Sequence, residues 1–424
     1  MGRRRGAMRG VTATVIALGT AVLLTPASAT ADPATDGFWY FDAFHIQEAH
    51  DAGLTGKGVT IGVIDTPIDL DVPTLRGADI EVQESICYQP DGEYIPATST
   101  DLTVAAHGTN VVSYLVGSGQ GYPGQTGVKG ILPDARIIYT SHGTADADGV
   151  IRCTDAKDGL PVSPLAQGIN AAIDANADII SISGSDDPHP DAVTALTRAL
   201  ARGIVVIAAL GNEEFDFEGG FPSGSNGVVG VQAIDSAAQV RSVGQTGVDL
   251  DVLGPGVDVV WQGGDEWSQQ TYATGTSIAT PVIAGFLGLV AQKYPEATGN
   301  QLIQTLIRNT GTEDHELIYD PGLNQGYGVA SATHMLRVDP TQYDDVNPLI
   351  VPGDDQTPTA EEIAAAADEP ETTDPTGTSD PSESTGVPLW VIVGAGVLLV
   401  IAIVVVISVI AVRKNRGATR HGQV

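Results

Sequence analysis

The stretch Val59-Thr-Ile-Gly-Val-Ile-Asp65 is a run of apolar, mostly β-branched residues that ends in an acidic one. Similar runs alternate with segments of helical periodicity, which predicts a mostly parallel sheet covered by helices on both faces. The predicted strands are 59–64, 136–139, 179–183, 204–209 and 228–233, and the predicted helices are 109–116, 164–176, 191–202, 277–294 and 299–308. We therefore expect one three-layer α/β domain over residues 55–338.

Both ends of the chain have the composition of targeting segments. Residues 1–31 combine arginines, an apolar stretch and small-residue cleavage patterns, which predicts a secretory signal peptide, with a retained signal anchor as the alternative. Residues 388–412 are apolar, uncharged and long enough for a transmembrane helix, and residues 413–424 form a basic cytoplasmic tail. The sequence thus predicts a single-pass type I protein of the cell membrane whose domain is extracytoplasmic.

Two further segments flank the predicted domain. Residues 32–54 include the aromatic run Phe38-Trp-Tyr-Phe41 and are expected to pack on the domain as an N-terminal extension. A separate folded inhibitory propeptide is not expected. Residues 339–387 are acidic and rich in proline, threonine and serine, which predicts a disordered linker because such a segment buries little apolar surface. Within it, residues 361–368 favour only a transient helical turn.

The composition narrows the classes of partner and cofactor. A net charge of −32 excludes nucleic acid as a partner, because binding to phosphates requires clustered basic residues. Cys87 and Cys153 are the two cysteines, and outside the cytoplasm they favour a disulfide over two free thiols. Histidines and cysteines lack zinc-ligand spacing, so no metal or other cofactor is predicted. Calcium binding by the acidic residues 146–158 stays open, because their spacing matches no defined loop.

Four polar residues lie where strands end or helices begin. Asp65 ends the first predicted strand and Asn212 follows another, so both are expected at the carboxyl edge of the sheet. His107 precedes Gly108 near the start of a predicted helix. Ser277 lies at a helix N-terminus, where free N–H groups stabilise negative charge. Taken singly, Asp65 and Asn212 also fit ordinary turn residues, and Ser277 also fits a helix N-cap.

These residues lie in four short motifs: Val63-Ile-Asp65-Thr, His107-Gly-Thr, Gly211-Asn212 and Gly275-Thr-Ser277-Ile-Ala-Thr-Pro281. With that order along the chain, residues 55–332 resemble the subtilisin-like serine peptidases. The resemblance implies a subtilisin-like fold and peptide-bond hydrolysis with Ser277 as nucleophile, His107 as general base and acid, and Asp65 orienting the histidine. It also implies that Asn212 and the Ser277 N–H form the oxyanion hole.

The same resemblance implies how a protein or peptide substrate binds. An extended peptide would pair with a strand edge at residues 180–183, and Ser183 and Gly184 would line the cleft. Three departures from the family pattern lie near this cleft. Gly184-Ser185 replaces a more usual Leu-Gly pair, and Pro67 and Ala106 each replace a more usual glycine. None removes a reacting group, but each changes the expected shape of the cleft.

The order of signal peptide, catalytic domain, linker, single membrane helix and basic tail resembles the mycosins, which are membrane-anchored subtilases of type VII secretion. That resemblance implies an endopeptidase that processes secreted or envelope proteins and associates with a type VII secretion membrane complex. Two alternatives are a structural subunit that stabilises such a complex with dispensable peptidase activity, and a general surface peptidase unrelated to secretion.

Overall fold

A parallel sheet forms the centre of the molecule. The structure is a computed structural model that describes residues 37–89, 91–143, 153–155, 159–212, 220–240, 247–320 and 324–368. The strands of this part are β1 (Thr60–Asp65), β2 (Asp79–Val82), β3 (Ser118–Gln120), β4 (Thr126–Lys129), β5 (Arg136–Ser141), β6 (Ile179–Ile182), β7 (Val205–Ala209), β8 (Val229–Ile234), β9 (Val252–Pro255), β10 (Val259–Gln262) and β11 (Gln270–Ala273). Seven of them form a sheet in the order β2-β5-β1-β6-β7-β8-β9, in which each pairing is parallel. Two short antiparallel pairs, β3-β4 and β10-β11, lie outside it.

Helices cover both faces of this sheet. The α-helices of the described residues are α1 (Trp39–Ala43), α2 (Ile46–Asp51), α3 (Leu102–Val116), α4 (Pro164–Asp174), α5 (Pro190–Ala201), α6 (Thr276–Lys293), α7 (Gly299–Arg308), α8 (Ala332–Met335) and α9 (Ala360–Ala367). Because side chains alternate along a strand, β1 directs Ile61 and Val63 into one core and Ile64 into the other. The first core contains α3 and α6, and the second contains α4 and α5. The predicted three-layer α/β architecture is confirmed.

The structure differs from the predicted boundaries in one place that matters for the site. Helix α3 begins at Leu102, not at residue 109, because the Asp101 side chain accepts a hydrogen bond from the Thr103 N–H at 2.9 Å and caps the helix. His107 therefore lies within the helix, where the main-chain bonds on both sides fix its position.

The prediction of a disordered linker from residue 339 is wrong as far as residue 368. This segment, the C-terminal arm, runs along the domain and ends in α9, whose Ile363 is buried in the core beside α5. Asn226 holds the arm: its amide donates to the carbonyl oxygens of Val351 and Pro358 at 3.0 Å each, and its oxygen accepts the Val351 N–H at 2.8 Å. Hydrogen bonds between the Asn226 side chain and the main chain of the arm, together with the burial of Ile363, thus help to order a segment of polar composition. Residues 369–387 lie outside the described residues.

The described part of the N-terminal extension, residues 37–54, packs on the domain as expected. The Trp39 indole donates to the Val257 carbonyl at 3.0 Å, and the Tyr40 hydroxyl donates to the Lys129 carbonyl at 2.8 Å. Tyr40 and Phe41 are buried. The extension therefore contributes to the core on the α3 and α6 side of the sheet.

A disulfide bond joins Cys87 and Cys153, whose Cα atoms are 4.8 Å apart. Both cysteines are buried with Ile95 in a small separate cluster. The bond closes a loop with a sequence separation of 66 that contains His107. Closure of such a loop stabilises a fold by about 2 to 4 kcal/mol.

The targeting segments predicted at the two ends, 1–31, 388–412 and 413–424, lie outside the described residues. Within the described part of the chain, no helix combines the length and the apolar character needed to cross a membrane. Signal peptide, membrane helix and cytoplasmic tail therefore stay predictions from the sequence.

Asp251 is a buried carboxyl group just before β9, and burial raises its pKa to about 8. One oxygen accepts the Gly230 N–H at 2.8 Å, which opposes the shift without cancelling it. In the unfolded chain the pKa of an aspartate is about 4. Between these values the folded protein keeps a proton that the unfolded chain has lost, so stability decreases as the pH rises from about 4 to about 8.

We expect the substitution Asp251→Asn to remove this pH dependence. The asparagine amide keeps an oxygen that can accept the Gly230 N–H, but it does not titrate in this pH range. Wild type should lose about 1.4 kcal/mol of its free energy of unfolding per pH unit through this group, and the variant should not. Urea denaturation between about pH 5 and pH 8 measures the slope, with exposed Asp265→Asn as control. Equal slopes in wild type and Asp251→Asn would refute the assignment.

Candidate active site

Strand β1 and helix α3 bring Asp65 and His107 together. Nδ1 of His107 lies 2.6 Å from Oδ1 of Asp65, and the same oxygen accepts the Thr66 N–H at 2.7 Å. The Asp65 side chain is fully buried, whereas 36% of the His107 side chain is exposed. The carboxylate therefore fixes one edge of the imidazole from the interior, and the rest of the ring stays accessible.

The electrostatic setting of His107 suits a base. Burial by itself lowers its pKa, but the charge of Asp65 and the hydrogen bond to it raise the pKa further, so that the net shift is upward. The ring of Trp261, on β10, lies 6.0 Å from the imidazole and is tilted by 60° to it. Sequence reasoning missed Trp261, because it lies in no motif and its strand was not predicted.

Gly108 allows α3 to approach the loop after Asp65. Its N–H donates to the Thr66 hydroxyl at 3.0 Å, and the Tyr139 hydroxyl donates to the Thr66 carbonyl next to it. A Cβ on Gly108 would lie 2.6 Å from the Thr66 carbonyl oxygen and would also overlap the Tyr139 hydroxyl. The glycine after the histidine is therefore a steric requirement for contact between His107 and Asp65.

We expect Gly108→Ala to lower kcat/KM by about a hundredfold, because moving α3 by about 1 Å misplaces the base. Peptide hydrolysis by the purified full chain measures the effect. Adding Tyr139→Phe removes one of the two clashing oxygens and should restore part of the activity. Wild-type activity in Gly108→Ala would show that the close approach is not required.

Ser277 lies in the first turn of α6 and exchanges hydrogen bonds with Ser183. The Ser277 hydroxyl donates to the Ser183 carbonyl at 3.1 Å, and the Ser183 hydroxyl donates to the Ser277 carbonyl at 3.0 Å. The second bond follows from Pro281, which has no N–H to offer the carbonyl four residues before it. In this conformation no hydrogen bond joins the two described residues Ser277 and His107.

Asn212 follows β7 and lies against the N-terminus of α6. Its Oδ1 accepts the Thr276 N–H at 2.9 Å and the Thr276 hydroxyl at 3.3 Å. Gly211 has a φ of 98°, in the left-handed region that favours glycine. A Cβ on Gly275 would lie 3.3 Å from both Nδ2 and Oδ1 of Asn212, so this glycine lets the amide approach. The side-chain amide of Asn212 thus contacts Thr276, the residue directly before Ser277.

The expected pairing of a substrate with residues 180–183 is wrong for most of that segment. Strand β6 lies between β1 and β7, and both of its edges are occupied. The sequence did not indicate that both edges of β6 are occupied, because the order of the strands in a sheet cannot be read from the sequence of one strand. Ser183 and Gly184 follow the end of β6, outside the paired registers, and they stay predictions as substrate-binding residues.

Other site predictions concern metals. Among the described residues, no group of three or more histidine, cysteine, aspartate or glutamate side chains is arranged to hold a metal ion. The acidic loop at residues 146–158, where calcium was left open, lies mostly outside the described residues.

The sequence of this chain matches a known protein family. The profile of the subtilase family (Peptidase S8) matches residues 56–330. Subtilisin BL from Lederbergia lenta is 31% identical over 277 residues, which cover 65% of this chain and 91% of that protein. Minor extracellular protease Epr from Bacillus subtilis (strain 168) is 28% identical over 294 residues, 68% of this chain and 41% of that longer protein. The chain therefore belongs to the subtilase family of serine-type endopeptidases.

Solved structures show the same fold. MycP1 from Mycobacterium smegmatis matches 75% of this chain and 88% of its own, with 20% identity and a TM-score of 0.54. A second match is MycP1, described as an essential component of the type VII (ESX-1) secretion system, with 23% identity and a TM-score of 0.52 over 73% of this chain and 90% of that one. A protease from Pseudoalteromonas arctica matches 72% of this chain and 98% of its own, with 22% identity and a TM-score of 0.55.

Proposed function

We propose that this protein hydrolyses peptide bonds through a triad of Asp65, His107 and Ser277, with Asn212 in the oxyanion hole. The observation that carries the proposal is the 2.6 Å contact between Asp65 and His107, made at the edge of the sheet where Asn212 and the N-terminus of α6 also lie. Family membership supports the same reading.

The proposed reaction proceeds through an acyl-enzyme. His107 accepts the Ser277 proton as the hydroxyl oxygen attacks the scissile carbonyl, and Asp65 stabilises the imidazolium. The Asn212 amide and the Ser277 N–H donate to the oxyanion. His107 then protonates the leaving amine, so that the C–N bond breaks and an ester on Ser277 remains. A water molecule, deprotonated by His107, attacks this ester, and His107 then returns the proton to the Ser277 oxygen as the acid leaves.

Covalent labelling tests the proposed roles directly. A fluorophosphonate probe should label the purified full chain and should not label Ser277→Ala, because the probe forms a bond to the nucleophile. His107→Ala should label far more slowly, since the base is absent. Failure of the folded wild type to react would contradict the proposal.

We further propose that the substrates are secreted or envelope proteins and that the protein acts with a type VII secretion membrane complex. Support comes from the predicted signal peptide and membrane helix, and from the fold shared with MycP1, which is described as a component of such a system. Co-purification with secretion-complex subunits tests the association. Its absence would favour a general surface peptidase.

The likeness to an essential system component also favours a second candidate, a structural subunit whose peptidase activity is dispensable. Expression of Ser277→Ala in a deletion strain separates the two. Restored secretion at wild-type protein levels would support the structural role. Lost secretion at the same levels would support catalysis.

A further inference from the structure

An open cavity of about 390 Å³ lies between the C-terminal arm, which contributes Leu349, and the central sheet. Val228 directly precedes β8 and Asp251 directly precedes β9, so the cavity opens at the amino edge of this parallel sheet. Asp65 ends β1 and Asn212 follows β7, so the proposed active site lies at the opposite, carboxyl edge. The volume is within the range of about 300 to 1,000 Å³ that is typical of ligand sites. A ligand bound here would leave the proposed active site open.

The carboxyl groups of Asp249 and Asp251 belong to residues that line this cavity. Only 8% of Asp251 is exposed. Its Oδ2 accepts the Gly230 N–H at 2.8 Å, whereas its Oδ1 accepts no hydrogen bond from a described residue. Buried polar groups in proteins are nearly always hydrogen-bonded. A nearly buried oxygen without a donor, in the wall of a cavity, therefore indicates a ligand that donates to it.

Tyr319 and Tyr327 form an aromatic wall of the same cavity. Their ring centroids are 5.1 Å apart, and the ring planes are tilted by 56°. Burial raises the pKa of both phenols, and the charge of Asp251 raises it further, because this carboxyl group lies close to both rings. Aromatic faces attract cations, most often the guanidinium of arginine. The aromatic wall and the carboxyl groups therefore favour the same kind of ligand, a positively charged one.

The surroundings of the cavity indicate where such a cation comes from. The chain has a net charge of −32, and no described residue that lines the cavity is basic. Val248 and Val351 line the cavity and are 65% and 45% exposed, and Ile318, next to Tyr319, is 61% exposed. Exposed apolar residues grouped around a pocket are typical of surfaces that contact another protein. A cation with apolar neighbours, as in a protein segment, therefore complements this surface.

We propose that this cavity binds a basic side chain of a partner protein, held by Asp249 and Asp251 and packed against Tyr319 and Tyr327. Arginine fits better than lysine, because its planar guanidinium stacks on aromatic rings and offers five N–H donors. A metal ion fits less well, since no three described carboxylate, histidine or cysteine side chains are arranged to hold one. The partner would contact the domain at the edge of the sheet away from the proposed active site.

Two short acetylated peptides, with leucines on both sides of either arginine or citrulline, test the cavity. Citrulline has the shape of arginine without its charge. Calorimetric titration measures both affinities on the purified full chain with Ser277→Ala, so that the proposed nucleophile cannot cleave the peptides. At about pH 9, above the pKa of Asp251, we expect the arginine peptide to bind about tenfold more tightly. Asp251→Asn should abolish most of this preference, and the exposed control Asp265→Asn should keep it.

The preference for arginine should decrease as the pH falls. The pKa of Asp251 is about 8, so at about pH 6 this carboxyl group holds a proton that the guanidinium has to displace. Among the described residues, Asp249, Tyr319 and Tyr327 also face this carboxyl group. Burial raises the pKa of the two tyrosines, so they stay neutral, and the charge of Arg308 near Tyr327 does not change over this range. The ratio of the two affinities should therefore fall severalfold between about pH 9 and pH 6.

Tyr327→Leu is a second variant, which keeps an apolar group but removes the aromatic ring, and it should also reduce the preference. Circular dichroism checks that each variant is folded. Equal affinities of the two peptides at about pH 9 would overturn the proposal. A preference unchanged in both Asp251→Asn and Tyr327→Leu would also overturn it, because the peptide would then bind elsewhere.

Calcium chloride alone is the second probe. Calcium binding that requires Asp251, without a preference for the arginine peptide, would overturn the proposal in favour of a metal site. These measurements do not depend on peptidase activity, because the protein used lacks the Ser277 hydroxyl. Failure of the proposed function would therefore leave this inference standing, and the reverse also holds.

Discussion

Replacing Ser277 with alanine is expected to lower kcat by about a millionfold, the scale known for subtilisin without its nucleophile or base. The variant loses the oxygen that forms the acyl-enzyme, and the remaining groups stabilise only the attack of water. Ser277 donates its hydroxyl hydrogen bond to the Ser183 carbonyl alone, so the fold should survive the change. Hydrolysis of a peptide substrate by the purified full chain measures the loss.

The double variant Ser277→Ala/His107→Ala provides the control for this prediction. Because nucleophile and base act as a unit, the second substitution should cost little further activity. Circular dichroism of both variants checks that they are folded. A Ser277→Ala protein that keeps a tenth or so of wild-type activity would mean that another residue is the nucleophile.

The substitution Asn212→Ala is expected to slow turnover by about 10²- to 10³-fold, mostly in kcat. The amide acts on the charge that develops in the transition state, so substrate binding and KM should change little. Steady-state kinetics over a range of peptide concentrations separates the two parameters.

Asn212→Asp is the matched variant. It keeps an oxygen for the Thr276 N–H and hydroxyl, so the contact with α6 is retained, but it has no amide to donate. It should be at least as slow as Asn212→Ala, because a carboxylate also repels the oxyanion. Near-normal kcat in Asn212→Asp would remove Asn212 from the oxyanion hole.

Sequence reasoning found the strands that consist of continuous apolar runs and missed those that do not. β7 is buried along its whole length and therefore reads as a continuous apolar run. β2 lies at an edge of the sheet and alternates between exposed and partly buried residues, and β9 contains Gly254 and Pro255. The C-terminal arm was missed because Asn226, which orders it, lies far away in the sequence.

The pairing of Asp65 with His107 could be predicted, because both residues lie in short motifs that resemble those of the subtilisin-like peptidases. The hydrogen bonds between Ser277 and Ser183 could not, because they depend on how α6 meets the segment after β6. Contacts between distant segments decide such details, and no local pattern records them.

Because of the buried carboxyl group of Asp251, a change in pH is expected to shift the stability of the fold and the rate of catalysis in opposite directions. A rising pH removes the proton from His107, whose pKa lies above its usual range, and so produces more of the neutral imidazole that the proposed mechanism requires. Over the interval up to about pH 8 the same rise weakens the fold through Asp251. We therefore expect the proposed peptidase to work faster in mildly alkaline surroundings but to last for a shorter time there.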